Sequence, residues 1–200
     1  MSEHPQQGRL PLAERRQQLL DAALVVMGEK GVAGATTRAI TEQAGVPQGL
    51  FHYCFDSRHA LLRALLERES DVTVSMVAGI DPQRSSLEQA LNDSFAAQFQ
   101  RVSAEPERAA VLSELNVIAR TDPDLLALLR AQRTRDLATI ADCLSRWLSH
   151  PSLRSAAGSW AEVVMAGLDG MTEEWLTSRD DDAWQRGSRL FAEAIAKSFG

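Results

Sequence analysis

The sequence predicts an all-α chain of about nine helices, a small three-helix N-terminal head followed by a larger helical body, and three observations lead there. Apolar residues recur at three- and four-residue intervals along most of the chain, the spacing of a helix with one buried face. No stretch shows the strict alternation of a half-buried strand, and no repeat of fixed period is present. Helix-opening signals, a Ser or Thr three residues ahead of an acid or a proline at the first turn, punctuate the second half.

The bulk properties agree with a folded protein. With 200 residues, 44% of them hydrophobic and 24% charged, the chain can build a core. No run of about 18 apolar residues occurs and the first ten residues are polar, so neither a membrane-spanning helix nor a signal peptide is expected, and the expected location is cytoplasmic. Cys54 and Cys143 stand far apart without CxxC spacing, which argues against a disulfide framework or a structural zinc site. No metal or cofactor is expected. The net charge of −6 is unevenly spread: residues 1–66 carry +1 and the remainder −7. The acidity therefore belongs to the C-terminal part, which divides the chain into a near-neutral head and an acidic body.

In chain order, residues 1–11 read as a flexible tail broken by Pro5, Gly8 and Pro11, with Arg9 on a mobile arm. From Leu12 a helix begins whose stripe is Leu19, Leu20, Ala23, Val26 and Met27. Gly31 ends it, and Arg15, Arg16 and Lys30 lie off the stripe. Thr36 and Thr37 can each cap the next helix, which buries Ala39, Ile40 and Ala44. Gly45-Val46-Pro47 supplies a residue at ease in left-handed geometry, an apolar anchor, and a proline acceptable where a helix begins. A second short helix runs from Gln48 to Tyr53. Two short helices around such a turn form a helix-turn-helix, whose second helix can lie in the major groove of DNA. The head, residues 12–57, is expected to take its core from the first helix together with Ile40, Ala44, Val46, Leu50, Phe55, Leu61 and Leu65.

Asp56-Ser57 opens a helix of about twenty residues through Leu61, Leu62, Leu65 and Leu66 towards Val72 and Met76, ending near Gly79 and Asp81-Pro82, which joins the head to the body of residues 58–200. Within the body, Ser85-x-x-Glu88, Glu105-Pro106, Thr121-x-x-Asp124 with Pro123, His150-Pro151 and Ser178-x-x-Asp181 mark helix starts. The last two helices carry the stripes Leu153, Ala157, Trp160, Val164, Leu168, Met171, Trp175 and Trp184, Ser188, Phe191, Ile195, Phe199. Their apolar faces are broader than one neighbour requires. An intersubunit four-helix bundle is therefore expected, with Trp160, Val164, Leu168, Met171, Trp175, Phe191 and Ile195 as its candidates.

Residues 12–66 resemble the DNA-binding domain of the TetR family of bacterial repressors. The resemblance is carried by Ala22-Ala23, Gly31, Thr36-Thr37, Ala44-Gly45-Val46, Gly49, Tyr53, Phe55 and Leu61-Leu62. Three positions depart from the family pattern: His52 where the first aromatic Tyr is usual, Cys54 where His is common, and Arg58 where Lys is usual. The resemblance implies repression relieved by a small, often apolar or aromatic, effector. It also implies that the second Thr, the Arg after it, the start of the recognition helix and the later cationic position contact DNA.

Residue chemistry gives the DNA-binding candidates their roles. Gln48 opens the reading helix, where an amide can bond adenine bidentately. Gly49 lets the backbone approach closely, and Leu50 sits beside it. Tyr53 offers a ring to a thymine methyl and a hydroxyl to phosphate, while Thr37, Arg38 and Arg58 are placed for phosphates. His52 either donates to phosphate or simply lies at the surface. Cys54 reads as a small packing residue. A homodimer is expected, because two readers about 34–36 Å apart match successive major grooves of a palindromic operator.

A small-molecule effector site is expected in the body, where polar groups stand close to apolar stripes: Phe95, Gln98, Phe99, Asn116, Met165 and Asp169 are the candidates. An enzyme is not expected, since GxSxG, HExxH, CxxC and GxxxxGK[ST] are absent and none of His4, His52, His59 and His150 pairs with an obvious nucleophile. The alternative reading is a helical protein-interaction dimer whose departures at His52 and Cys54 mark a degenerate reading head.

Overall fold

The computed structural model describes residues 11–78, 85–147 and 156–198, the side chains of 69–78 excepted. The tail with Arg9, the side chains of Val72 and Met76, the helix end at Gly79 and Asp81-Pro82, the start at His150-Pro151, and Leu153 and Phe199 of the two stripes lie outside the described residues. Among the described residues there are nine helices and no strand. Two compact units form, Met1–Leu65 and Leu66–Gly200.

The head contains α1 (Leu12–Gly34), α2 (Thr37–Gln43), α3 (Gln48–Cys54) and the beginning of α4 (Arg58–Ala78). The expected α1 stripe is buried throughout, from Leu19 to Met27. Gly31 interrupts the helix with φ 73° and ψ 162°, and the chain then makes one further turn to Gly34. Thr36 is the threonine that caps α2, its Oγ1 accepting from the Ala39 N–H at 3.1 Å. At the other end of α2, Gly45 takes φ 65°, its N–H donates to the Glu42 carbonyl and the Val46 N–H to the Thr41 carbonyl. That reciprocal pair is a Schellman closure, which requires a left-handed residue where glycine stands. α1 packs on both α2 and α3, and α2 on α3. Phe51 and Ile40 are fully buried, whereas Ala44, Val46 and Leu50 are only half-buried at the turn and on the flank of α3.

The unit boundary falls within α4, after Leu65, rather than at residue 57. Leu61 and Leu65 are completely buried, and the first two turns of α4 belong to the head for that reason.

The body comprises α5 (Leu87–Ala104), α6 (Pro106–Ala119), α7 (Pro123–Ser145), α8 (Ala157–Ser178) and α9 (Asp181–Lys197), together with the remainder of α4. α7 lies along α8, α5 along α9, and α8 along α9. One apolar cluster gathers Leu91 and Phe95 of α5, Ile140 and Leu144 of α7, Ala161 and Met165 of α8, and Ile195 of α9. A smaller one joins Val102, Trp175 and Trp184, with Phe99 against it. Three helix starts differ by one or two residues from the sequence reading. Ser86, not Ser85, caps α5 by accepting from the Gln89 N–H. Asp122, not Thr121, caps α7 through Oδ1, which accepts from the Asp124 and Leu125 N–H groups. Asp180, not Ser178, caps α9 by accepting from the Ala183 N–H. α6 begins as expected, with Pro106 in its first turn.

Candidate nucleic-acid interface

Helix α3 is two turns long and has two unlike faces. Phe51 and Cys54 point inward, while Gln48, Gly49, His52 and Tyr53, spaced at i, i+1, i+4 and i+5, share the solvent face. Tyr53 is 71% exposed, its ring and hydroxyl both open to solvent. His52 is exposed and meets the Phe51 ring edge-on at 5.6 Å between centroids. Cys54 is buried, as expected of a small packing residue, and burial pushes its thiol pKa up. Leu50 is half-buried, at the margin of that face.

The candidate cations are less free than the sequence implies. Thr37 is half-buried at the first turn of α2. Arg38, fully exposed, donates from Nε to Glu42 Oε1 at 2.8 Å, and that hydrogen bond together with the carboxylate's charge raises its pKa. A pair so exposed is weak, and a phosphate can take Glu42's place. Arg58 is different. Its Nε donates to the Ala35 carbonyl at 3.0 Å and its Nη2 to the Val32 carbonyl. The half-buried guanidinium is thus committed to carbonyls at the end of α1 and in the link to α2. Beside the phosphate contact expected of it, Arg58 is therefore a tether to the chain ahead of α2.

Sequence reasoning placed Arg16 merely off the α1 stripe and passed over Gln18. Arg16 Nη1 donates to the Cys54 carbonyl at the last residue of α3, and Gln18 Nε2 to the Ala44 carbonyl at the end of α2, 2.9 Å away. No local signal could have shown bonds that span 38 and 26 residues of chain.

In the body, the effector candidates divide. Phe95 and Met165 are buried in the larger cluster, and Phe95 stacks on Phe191 at 5.8 Å between centroids. Phe99 lies among Trp175 and Trp184. Gln98 is buried: its Nε2 donates to Thr172 Oγ1 at 3.3 Å and its Oε1 accepts from Arg101 Nε. Asn116 is exposed on α6, and Asp169 is exposed and bridged to Arg133 at 2.6 Å. Those two do not join the others. The dimer candidates divide too. Val164, Trp175 and Ile195 are buried within their own chain, so they are core and have no surface to offer a partner. Trp160, Leu168, Met171 and Phe191 are half-buried at its margin. Among the described residues of these helices, the exposed large apolar side chains are Val163 at 43% and Leu190 at 67%.

Residues 19–65 match the family of bacterial regulatory proteins called the tetR family. Across almost the whole chain, the sequence is 34% identical over 190 residues to the HTH-type transcriptional regulator BetI of Rhizobium meliloti, covering 87% of this chain and 92% of that one. The chain belongs to the TetR family. This TetR-family protein is accordingly a DNA-binding transcriptional regulator and not an enzyme. It shares its fold with a transcriptional regulator from Pseudomonas aeruginosa PAO1, at a TM-score of 0.78 and 19% identity, covering 95% of this chain and 92% of the other. FadR from Bacillus subtilis, solved in complex with stearoyl-CoA, superposes at 0.73 with 15% identity, covering 92% and 99%. No helix among the described residues of this TetR-family chain is long and apolar enough to cross a membrane.

Proposed function

We propose that the protein is a cytoplasmic homodimeric repressor that sets α3 of each subunit into the major groove of a palindromic operator and is released by a small-molecule effector. The observation that carries the reading is the face of α3 made by Gln48, Gly49, His52 and Tyr53, which stands open to solvent while Phe51 and Cys54 anchor the opposite side. Gln48 reads a base edge, Tyr53 and His52 lie against sugar, phosphate or a thymine methyl, and Thr37 and Arg38 approach phosphates from the start of α2. Arg58 contributes its charge from the tether.

For the dimer, support comes from the uncovered Val163 of α8 and Leu190 of α9, flanked by half-buried Trp160, Leu168, Met171 and Phe191. For the effector, support comes from the aromatic and sulfur-rich interior around Phe95, Phe99 and Met165, with Gln98 as the polar group that orients a ligand. FadR's complex with stearoyl-CoA supports an apolar chain as one kind of guest for such a body.

Selection of duplexes from a random library by the purified protein, with mass measured by light scattering, tests the reading. The expected result is a palindrome with half-sites about one helical turn apart, bound by a dimer. Recovery of no enriched duplex, or a single chain in solution, overturns it. Thermal-shift screening of small hydrophobic metabolites, with and without the selected duplex, then tests release.

A further inference from the structure

A seven-residue helix cannot hold its own axis, since isolated helices shorter than about 12–15 residues are marginal in water. The direction of α3 must come from elsewhere, and its own start gives little help, because Pro47 offers no side-chain cap. Beside the buried Phe51 and Cys54, it is held by side chains bonded to main-chain carbonyls at helix ends, the groups a helix leaves without internal partners. Arg16 donates to the Cys54 carbonyl, and its guanidinium carbon lies 4.3 Å from the centroid of the buried Phe55 ring. A cation at that place also faces the negative end of the α3 dipole. Gln18 donates to the Ala44 carbonyl, and its own Oε1 is fixed by Arg15 Nη1 at 3.1 Å, so the amide can present only its NH2 to the turn. Arg58 completes the arrangement at the carbonyls just before α2.

We infer that Arg16 and Gln18 of α1 are positioning residues for DNA readout: they bracket the ends of α3 and α2 and so fix the angle at which Gln48 and Tyr53 meet the base edges. This rests on the proposed docking of α3. Neither residue touches DNA. Arg16 is half-buried with its charge directed at the carbonyl and ring, which separates it from a phosphate-binding arginine. Because the anchors are main-chain atoms, the bracket acts whatever side chains the reading face carries.

The test uses the full-length protein and the duplex that the parent selects from a random library. Enrichment of a palindrome by the parent establishes the docking reading independently. Arg16→Gln and Gln18→Met are then compared with the parent for binding to that duplex and to a scrambled one across several salt concentrations, with melting followed by circular dichroism. The expected result is a loss of preference for the selected duplex by about tenfold, comparable to one mismatched base pair, with scrambled-duplex binding and the salt dependence unchanged. Arg16→Lys, which still donates to the Cys54 carbonyl, restores most of the preference. A salt slope reduced by about one phosphate in Arg16→Gln makes that residue a backbone contact and overturns the inference. So does unchanged preference in both folded variants, or loss of the helical signal in both, either of which leaves the pair a purely structural role.

Discussion

Gln48 and Arg58 were read from the sequence as a base contact and a phosphate contact, and the structure gives them unlike surroundings. Gln48 is exposed at the start of α3, so Gln48→Ala should relax base preference at one position by about 1–3 kcal/mol. Competition binding with single-base variants of the selected duplex measures it; preference unchanged at every position would remove Gln48 from the base edge. Arg58→Ala instead removes two charge-assisted bonds to the carbonyls of Val32 and Ala35. It should lower stability by on the order of 2–3 kcal/mol, read as an earlier melting transition with free DNA absent. An unchanged melt would return Arg58 to the role of a phosphate contact. Cys54 and Cys143 provide a pH prediction. Burial raises both thiol pKa values above the ordinary value of 9.0, so the folded state favours the protonated form. The stability they contribute is complete below the unfolded thiol pKa and declines as pH rises through the folded values. Alkylation of native protein at neutral pH should accordingly be slow at both cysteines and fast in denaturant; fast native labelling would refute the buried assignment.

At the scale of the element, the turns and caps decide what each helix does. Gly45 has no neighbour that an added Cβ would strike, so Gly45→Ala should cost only the left-handed backbone, about 1–2 kcal/mol, without clash. Asp122→Ala should cost about 1 kcal/mol by uncapping α7, whereas Thr121→Ala should be close to neutral; urea melts of the pair decide between the two caps. The same elements show how far the sequence could be read. Gly31 and Gly45 were legible because each acts on its immediate neighbours through φ, whereas Thr36 and Thr37 both fitted the cap of α2 and the backbone selects Thr36. The starts of α5, α7 and α9 slipped by a residue or two because consecutive polar residues, Ser85-Ser86, Thr121-Asp122 and Ser178 to Asp180, can each satisfy the pattern, and only backbone geometry chooses among them. On α8 and α9 the periodicity marked an apolar stripe correctly but not which neighbour covers it. Val164, Trp175 and Ile195 face their own core, and Phe191 lies over Gly167, where a Cβ would come within 2.2 Å of the ring. The bonds from Arg16, Gln18 and Arg58 could not be read at all, being set by the approach of segments distant in sequence.

For the whole molecule, the division into a near-neutral head and an acidic body keeps phosphate-seeking charge at the end that meets DNA. The proposed dimer makes its own prediction. Leu190→Glu, at a side chain 67% exposed, should leave the fold intact and shift the protein to monomer, with operator affinity falling in parallel. Sedimentation at several concentrations checks this, and a dimer that persists would take α9 out of the interface. Trp175→Arg should act otherwise. Trp175 is buried and donates from Nε1 to Asp181 Oδ1 at 2.8 Å, so a guanidinium there unfolds the body and does not merely separate subunits. Loss of helical signal in that variant, beside its retention in Leu190→Glu, distinguishes core from interface.

Tyr53 is the chain's single tyrosine and stands on α3, while all four tryptophans, Trp147, Trp160, Trp175 and Trp184, belong to the second unit. Each unit therefore comes with its own spectroscopic label. Fluorine placed on tyrosine yields one NMR resonance that senses the duplex, and indole emission senses whatever enters the body. Titrating duplex and small molecule in either order, while watching both colours of signal in one sample, times the two events against each other without a foreign dye or an engineered tag.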